Sequence, residues 1–129
     1  MRIFKTKWFV RFARKQGIGD ADLRAAVDRA LSGLIDADLG GGVIKQRIAR
    51  PSEGKSGGFR SIVLLRAGEK AFFVYGFSKS ARGNVRQDEL EGFRQLADAM
   101  LSYDDATLAK ALESGALQEV RTDEQDLSK

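Results

Sequence analysis

Ten lysines and arginines fall between residues 41 and 86 against two acidic residues, and seven of the ten are spaced so that they could act together. In an extended chain, side chains alternate between faces, which puts Lys45 and Arg47 of Val43–Ile48 on one face. In Phe59–Arg66 the same rule puts Arg60 and Arg66 on one face, with Ile62 and Leu64 between them. Lys55 projects from the loop joining these segments, and Lys79 and Arg82 follow the next apolar segment, Ala71–Phe77. With the three segments side by side, the cations converge on one end or face of a sheet, and Tyr75 and Phe77 come within range of stacking on a base.

Such a cluster suits cleavage of RNA without a metal. A ribose hydroxyl must lose a proton, the pentacovalent phosphate must be stabilised, and the leaving oxygen must regain a proton. Arginine or lysine does the second task directly, through charge-assisted hydrogen bonds. A lysine, with its usual pKa of about 10.4, serves as a base near neutrality only where burial or like charge depresses that value. On residue types alone, each of Lys45, Arg47, Lys55, Arg60, Arg66, Lys79 and Arg82 is as much a candidate phosphate anchor as a candidate catalyst, and Tyr75 and Phe77 are candidate stacking residues. The plainer reading is a lysine- and arginine-rich sheet edge that only discourages aggregation.

What the sequence lacks narrows the chemistry further. It has no cysteine and no histidine, so disulfides, zinc sites, thiol nucleophiles and histidine acids or bases are excluded, and no metal or cofactor is expected. Gly54-Lys55-Ser56 looks like the end of a phosphate-binding P-loop, but that motif needs glycine where Ala49 stands and a helix where Gly57-Gly58 leads towards a strand. No apolar run approaches the roughly 20 residues of a membrane helix, and Met1-Arg2-Ile3-Phe4-Lys5 lacks the apolar stretch of a signal peptide, so a cytoplasmic protein with no membrane partner is expected. Charge is unevenly spread: +3 over residues 1–40, +8 over 41–86 and −7 over 87–129. That is the footprint of a polyanion binder with a separately solvated end. The acidic end is read as a solubilising surface or as a shield over the basic sheet.

The elements that must position these residues are legible as patterns. Met1–Phe4 is a strand candidate, and Trp8, Phe9, Phe12 and Ala13 form a helical stripe. The stripe is read as core rather than as a stacking platform, with Arg11, Arg14 and Lys15 facing away. Gly17 and Gly19 break the pattern, and Asp20 or Asp22 caps a second helix through Leu23, Val27, Ala30, Leu31 and Leu34, giving a helical hairpin. Gly40-Gly41-Gly42 ends the helical part. The three strands then form one antiparallel sheet, with Ala67-Gly68-Glu69-Lys70 as a hairpin turn. A third helix after Asn84, lined by Leu90, Phe93, Leu96, Ala97, Met100 and Leu101, lies across the sheet. A fourth runs from Asp104 or Asp105 to Gly115. The expectation is one α+β domain over residues 1–120 and a frayed, charged tail over 121–129.

Four strings in this order resemble the RelE/HigB-like toxins of bacterial toxin–antitoxin modules. They are Met-Arg-Ile-Phe-Lys (1–5), Leu-Ile-Asp-Ala-Asp-Leu-Gly-Gly-Gly (34–42), Lys-Ser-Gly-Gly-Phe-Arg (55–60) and Phe-Phe-Val-Tyr-Gly-Phe-Ser-Lys (72–79). The resemblance spans about residues 1–100. It implies a microbial-ribonuclease-like fold, a helical hairpin on a small twisted antiparallel sheet with additional C-terminal helices, and cleavage of mRNA in the ribosomal A site. It implies as partners the ribosome, mRNA and a cognate antitoxin, often of helix-turn-helix type, with operator DNA reached only through that antitoxin. By the same resemblance Arg60 is a phosphate-contacting arginine, Lys79 a cation at the end of the last strand, and Lys45, Arg47 and Lys55 a basic set that binds RNA and can supply the base, so that Arg60, Lys79 and Lys55 are the candidate catalysts and Lys45, Arg47, Arg66, Tyr75, Phe77 and Arg82 the candidate RNA contacts. Many relatives carry a tyrosine or histidine near the C-terminus; here there is no histidine, and no tyrosine directly follows Lys79. The ParE group uses the same scaffold to poison gyrase, so a gyrase inhibitor and a plain nucleic-acid-binding module are the alternatives.

Overall fold

The structure is a computed structural model that describes residues 1–49 and 58–121. Strand β1 (Arg2–Thr6) passes into helix α1 (Lys7–Gln16) with no loop, because Thr6 serves both. Its extended backbone ends the strand, and its Oγ1 accepts the Phe9 N–H at 3.3 Å to cap the helix. Helix α2 (Asp20–Leu31) is capped differently from expectation. Gly19 is the N-cap, and Asp22 reaches back to its N–H at 2.9 Å, while Asp20 pairs with Lys5 at 2.8 Å.

The spacing of apolar residues carries α2 on to Leu34, but the helix stops at Leu31 and leaves Leu31 and Leu34 exposed. Gly33 is the cause. At φ 89° it ends the helix in a Schellman arrangement, with its N–H on Ala30 and the Leu34 N–H on Arg29. The chain so released forms strand β2 (Ala37–Gly40), an element absent from the sequence reading.

Strands β3 (Val43–Ile48), β4 (Phe59–Arg66) and β5 (Lys70–Ser78) are antiparallel neighbours, as expected. The sheet as a whole is larger and mixed. Helices α3 (Gln87–Met100) and α4 (Asp105–Ser114) follow, then strand β6 (Leu117–Glu119), and the strand order is β2-β3-β4-β5-β1-β6. The expectation of a purely antiparallel sheet is corrected by β1, which runs parallel to β5. Alternation in sequence says which residues share a face, not which way the neighbouring strand runs.

Each face of the sheet carries its own apolar cluster. On one, Phe9 and Ala13 of α1 and Leu23 and Val27 of α2 pack with Ile44, Ile48, Val63 and Phe73. Both helices rest there, α1 on β1, β5 and β6 and α2 on β3. On the other face, Ala97, Met100 and Leu101 at the end of α3 and Leu108 of α4 pack with Val43, Ile62, Leu64, Phe72 and Val74. The fourth helix matches expectation: Asp104 accepts the Thr107 N–H at 2.8 Å, and Gly115 closes the helix at φ 83°. Arg121, read as the start of a frayed tail, donates its N–H to Asp20 at 2.9 Å and accepts from Arg24. Residues 122–129 lie outside the described residues.

A bulge in β5 controls what the site receives. Ile62 pairs with Tyr75 but Val63 pairs with Phe73, so Val74 and Tyr75 are consecutive yet face the same side. Past the bulge, Tyr75 and Phe77 fall on the α3 face and Gly76 on the α1 face. There the Phe12 ring lies so close that a Cβ on Gly76 would sit 2.4 Å from it. Only glycine admits that approach.

One buried polar side chain ties the core to the site. Gln46, 2 % exposed, donates to the carbonyls of Ala26 and Leu34 at 2.9 and 3.0 Å and accepts the Asp36 N–H at 3.0 Å. Gln46→Leu keeps the volume but strands those groups, and each buried, unsatisfied one costs about 1–3 kcal/mol. The expected loss is ~2–4 kcal/mol in a denaturant-unfolding comparison with the wild type.

Candidate nucleic-acid interface

On the α3 face the apolar cluster ends at Ile62 and Tyr75, and the same-facing positions beyond it are charged. Lys45, Ile62 and Tyr75 form one cross-strand row, and Arg47, Arg60 and Phe77 form the next. Arg47 and Arg60 are thus directly opposite each other, an arrangement in which like charges repel unless an anion lies between or beside them. An anion is present. The Asp36 carboxylate, in the chain between α2 and β2, lies 3.2 Å from Arg60 Nε and 3.9 Å from Lys45 Nζ. All three side chains are partly open to solvent, so the cluster is a surface site.

Gly58 makes room for Arg47, since a Cβ there would come 3.0 Å from Arg47 Nε and 3.2 Å from the Ile48 carbonyl. Lys79 follows directly on Ser78, the residue paired with Phe59, which places it at this end of the sheet. It is exposed and makes no ion pair among the described residues. Lys55 lies outside the described residues.

Three expected contacts stand elsewhere or are closed. Arg66 shares a face with Arg60 but lies six residues along β4, about 20 Å away at some 3.3 Å per residue. It donates to the Leu101 carbonyl at 2.8 Å, completing the C-terminal end of α3. Phe77 is 4 % exposed, with Arg82 over its ring at 5.7 Å, so it offers no stacking surface. Arg82 has its donors engaged. It forks onto Glu89 at 2.6 and 3.1 Å and reaches Tyr75 Oη at 3.1 Å and the Asn84 carbonyl at 2.9 Å. It therefore ties Tyr75 to the first turn of α3. Alternation counted from sequence cannot foresee these engagements, because they depend on where α3 lands.

The Arg82 fork, with the Arg86 N–H behind it, pulls the Glu89 carboxyl from an ordinary 4.5 down to about 2. The same pairing raises the Arg82 guanidinium. A depressed carboxylate stabilises the fold fully above its unfolded value, and the contribution is lost as pH falls through the folded one. Thermal unfolding of wild type and Glu89→Gln should therefore differ most above about pH 4.5 and converge near pH 2. A difference that persists unchanged to pH 2 would mean the fork is not what holds α3 here.

Tyr75 is also flanked by rings: Trp8 stacks on it at 4.7 Å and Phe93 lies at 5.8 Å. Reading the stripe of α1 as core holds for Phe9 and Ala13, both buried, but not for Trp8, which is 40 % exposed. The reason is positional: β1 stops opposite Phe73, so Trp8 meets β5 beyond the end of β1, where no strand covers it. Sequence reasoning also missed Asp36. Its one signal is that Asp36 and Asp38 alternate like strand residues just before a glycine run.

Among the described residues, no group of three or more acidic side chains is placed to hold a metal ion, and no helix is long and apolar enough to cross a membrane. A family model described as the RelE toxin of the RelE / RelB toxin-antitoxin system matches residues 1–120. A search of curated proteins finds no match to the chain.

Proposed function

Because the chain belongs to the RelE toxin family of toxin–antitoxin systems, and so has an antitoxin for a partner, we propose that it arrests growth by cutting messenger RNA on the ribosome through the cluster around Arg60. The observation that carries this reading is the cationic end of the sheet, where Arg60 and Lys45 share the partly exposed Asp36 carboxylate and Arg47 stands opposite Arg60.

A phosphodiester entering this end takes the place of Asp36 on Arg60, whose planar fork suits phosphate oxygens. Arg47 and Lys45 add positive charge where the pentacovalent phosphate accumulates negative charge. The 2′-hydroxyl attacks phosphorus and the bond to the 5′-oxygen breaks. The hydroxyl proton goes to the Asp36 carboxylate, released from Arg60 but still beside it, and Lys79 returns a proton to the 5′-oxygen. Asp36 takes the role of base that the sequence reading gives to a lysine: Lys45 faces a carboxylate rather than a crowd of cations, and Lys55 lies outside the described residues.

Induced expression followed by growth measurement and mapping of transcript ends tests the reading. Arrest with cuts inside translated codons is expected. Arrest with intact transcripts would point to a gyrase-type inhibitor on the same scaffold, and no arrest to a plain binding module.

A further inference from the structure

Helix α1 carries a second cationic surface that the proposed cleavage does not use. Its ten residues include Lys7, Arg11, Arg14 and Lys15 and no acidic residue. All four are exposed, and none makes an ion pair among the described residues. Arg60, Lys45 and Arg82 on the sheet, by contrast, each face a carboxylate. Complementing the helix dipole accounts for Arg14 and Lys15 in the last turn, but not for Lys7 and Arg11.

The helix also leaves Trp8 exposed and Phe12 partly so on one side. Trp8, Arg11, Phe12 and Lys15, at helical spacing, line a shallow concavity of about 390 Å³. Trp8 stacks on Phe12 at 5.4 Å and on Tyr75 at 4.7 Å, and Tyr75 lies in the cross-strand row of Lys45. Contact with Tyr75 therefore sets α1 beside the end of the sheet that carries the cations. Aromatic side walls with cations at the rim are what grips single-stranded nucleic acid: bases stack or insert, and phosphates meet the charges.

We propose that α1 is a second RNA-binding strip, taking the single strand that flanks the cut, with one base in the concavity against Trp8 and Phe12 and phosphates on Arg11 and Lys15. The proposal rests on the cleavage reading only for which strand is bound; the binding itself is independent of it.

Trp8 is the sole tryptophan, so its fluorescence reports this site alone. The probe is a short RNA with 2′-O-methyl riboses, which binds but cannot supply the attacking hydroxyl, titrated at several salt concentrations. Binding should quench Trp8 emission. Arg11→Gln/Lys15→Gln, which alters exposed side chains only, should weaken binding and lower the slope of log affinity against log salt by about 1.4, roughly 0.7 for each lost phosphate contact. Arg60→Ala should still show the quench. Emission that ignores the RNA, together with a double variant that binds with wild-type affinity and slope, overturns the strip even where the wild type cleaves messenger RNA. Quenching and a reduced slope without any cleavage would uphold the strip and sink the cleavage reading.

Discussion

Arg60→Ala is expected to lower messenger cleavage on translating ribosomes about 10²–10³-fold, the usual cost of removing one preorganised donor from a developing oxyanion, and to abolish growth arrest. The argument starts from its place in β4. Arg60 is the position at which an otherwise apolar face turns to solvent, opposite Arg47 and bonded to a carboxylate through Nε. Its side chain stands beyond the end of the apolar cluster on that face and is partly open to solvent. Its loss also relieves a cross-strand repulsion, so the unfolding midpoint should not fall by more than the ~0.5 kcal/mol typical of surface changes. Arg60→Lys separates charge from geometry: the ammonium keeps the charge but not the fork, and should recover part of the rate. A folded alanine variant that stays fully toxic would remove Arg60 from the mechanism.

How far the sequence discloses this site depends on the kind of information each residue carries. Lys45, Arg47 and Arg60 are legible because strand alternation is local, and β3 and β4 pair without a bulge. Tyr75 and Phe77 are not placed correctly by counting from Phe72, since the bulge after Phe73 reverses the phase. The bulge turns the bare Cα of Gly76 to the Phe12 ring, a contact between residues 64 positions apart. Asp36 is hidden for a different reason. Apolar spacing predicts a helix that runs past Leu31, and only the φ of Gly33 frees Asp36 to fold back over β3, where Gln46 holds its backbone. The helices themselves are well signalled by caps such as Asp104 and Gly115, whereas the three-residue strand β6 is too short to leave a pattern.

The charge map joins these pieces. The +8 central segment is not one uniform patch. Arg66 closes a helix end, and Arg82 and Arg86 bind the first turn of α3, so part of the acidic C-terminal charge is spent inside the fold on central arginines. What remains for a phosphate is the end of the sheet that carries Lys45 and Arg60, Lys79 beside it, and the cations of α1, which belong to the least conspicuous segment of the sequence.

Asp36→Asn should move binding and turnover in opposite directions, and that split distinguishes a base from a structural prop. The carboxylate competes with RNA for Arg60 and Lys45, and a partly exposed ion pair of this kind is worth about 0.2–1 kcal/mol. Removing its charge should therefore tighten RNA binding by up to about fivefold. Asparagine keeps the shape and the acceptor oxygen towards Arg60 but cannot take up the hydroxyl proton, so the rate at saturating ribosomes should fall about 10²–10⁴-fold, the range general-base catalysis supplies. Were Asp36 only a lid over the cations, both affinity and rate would rise. Were it only a prop for Arg60, affinity and rate would fall together, as in Arg60→Ala. Single-turnover cleavage and equilibrium binding, measured on the same two proteins, separate the three.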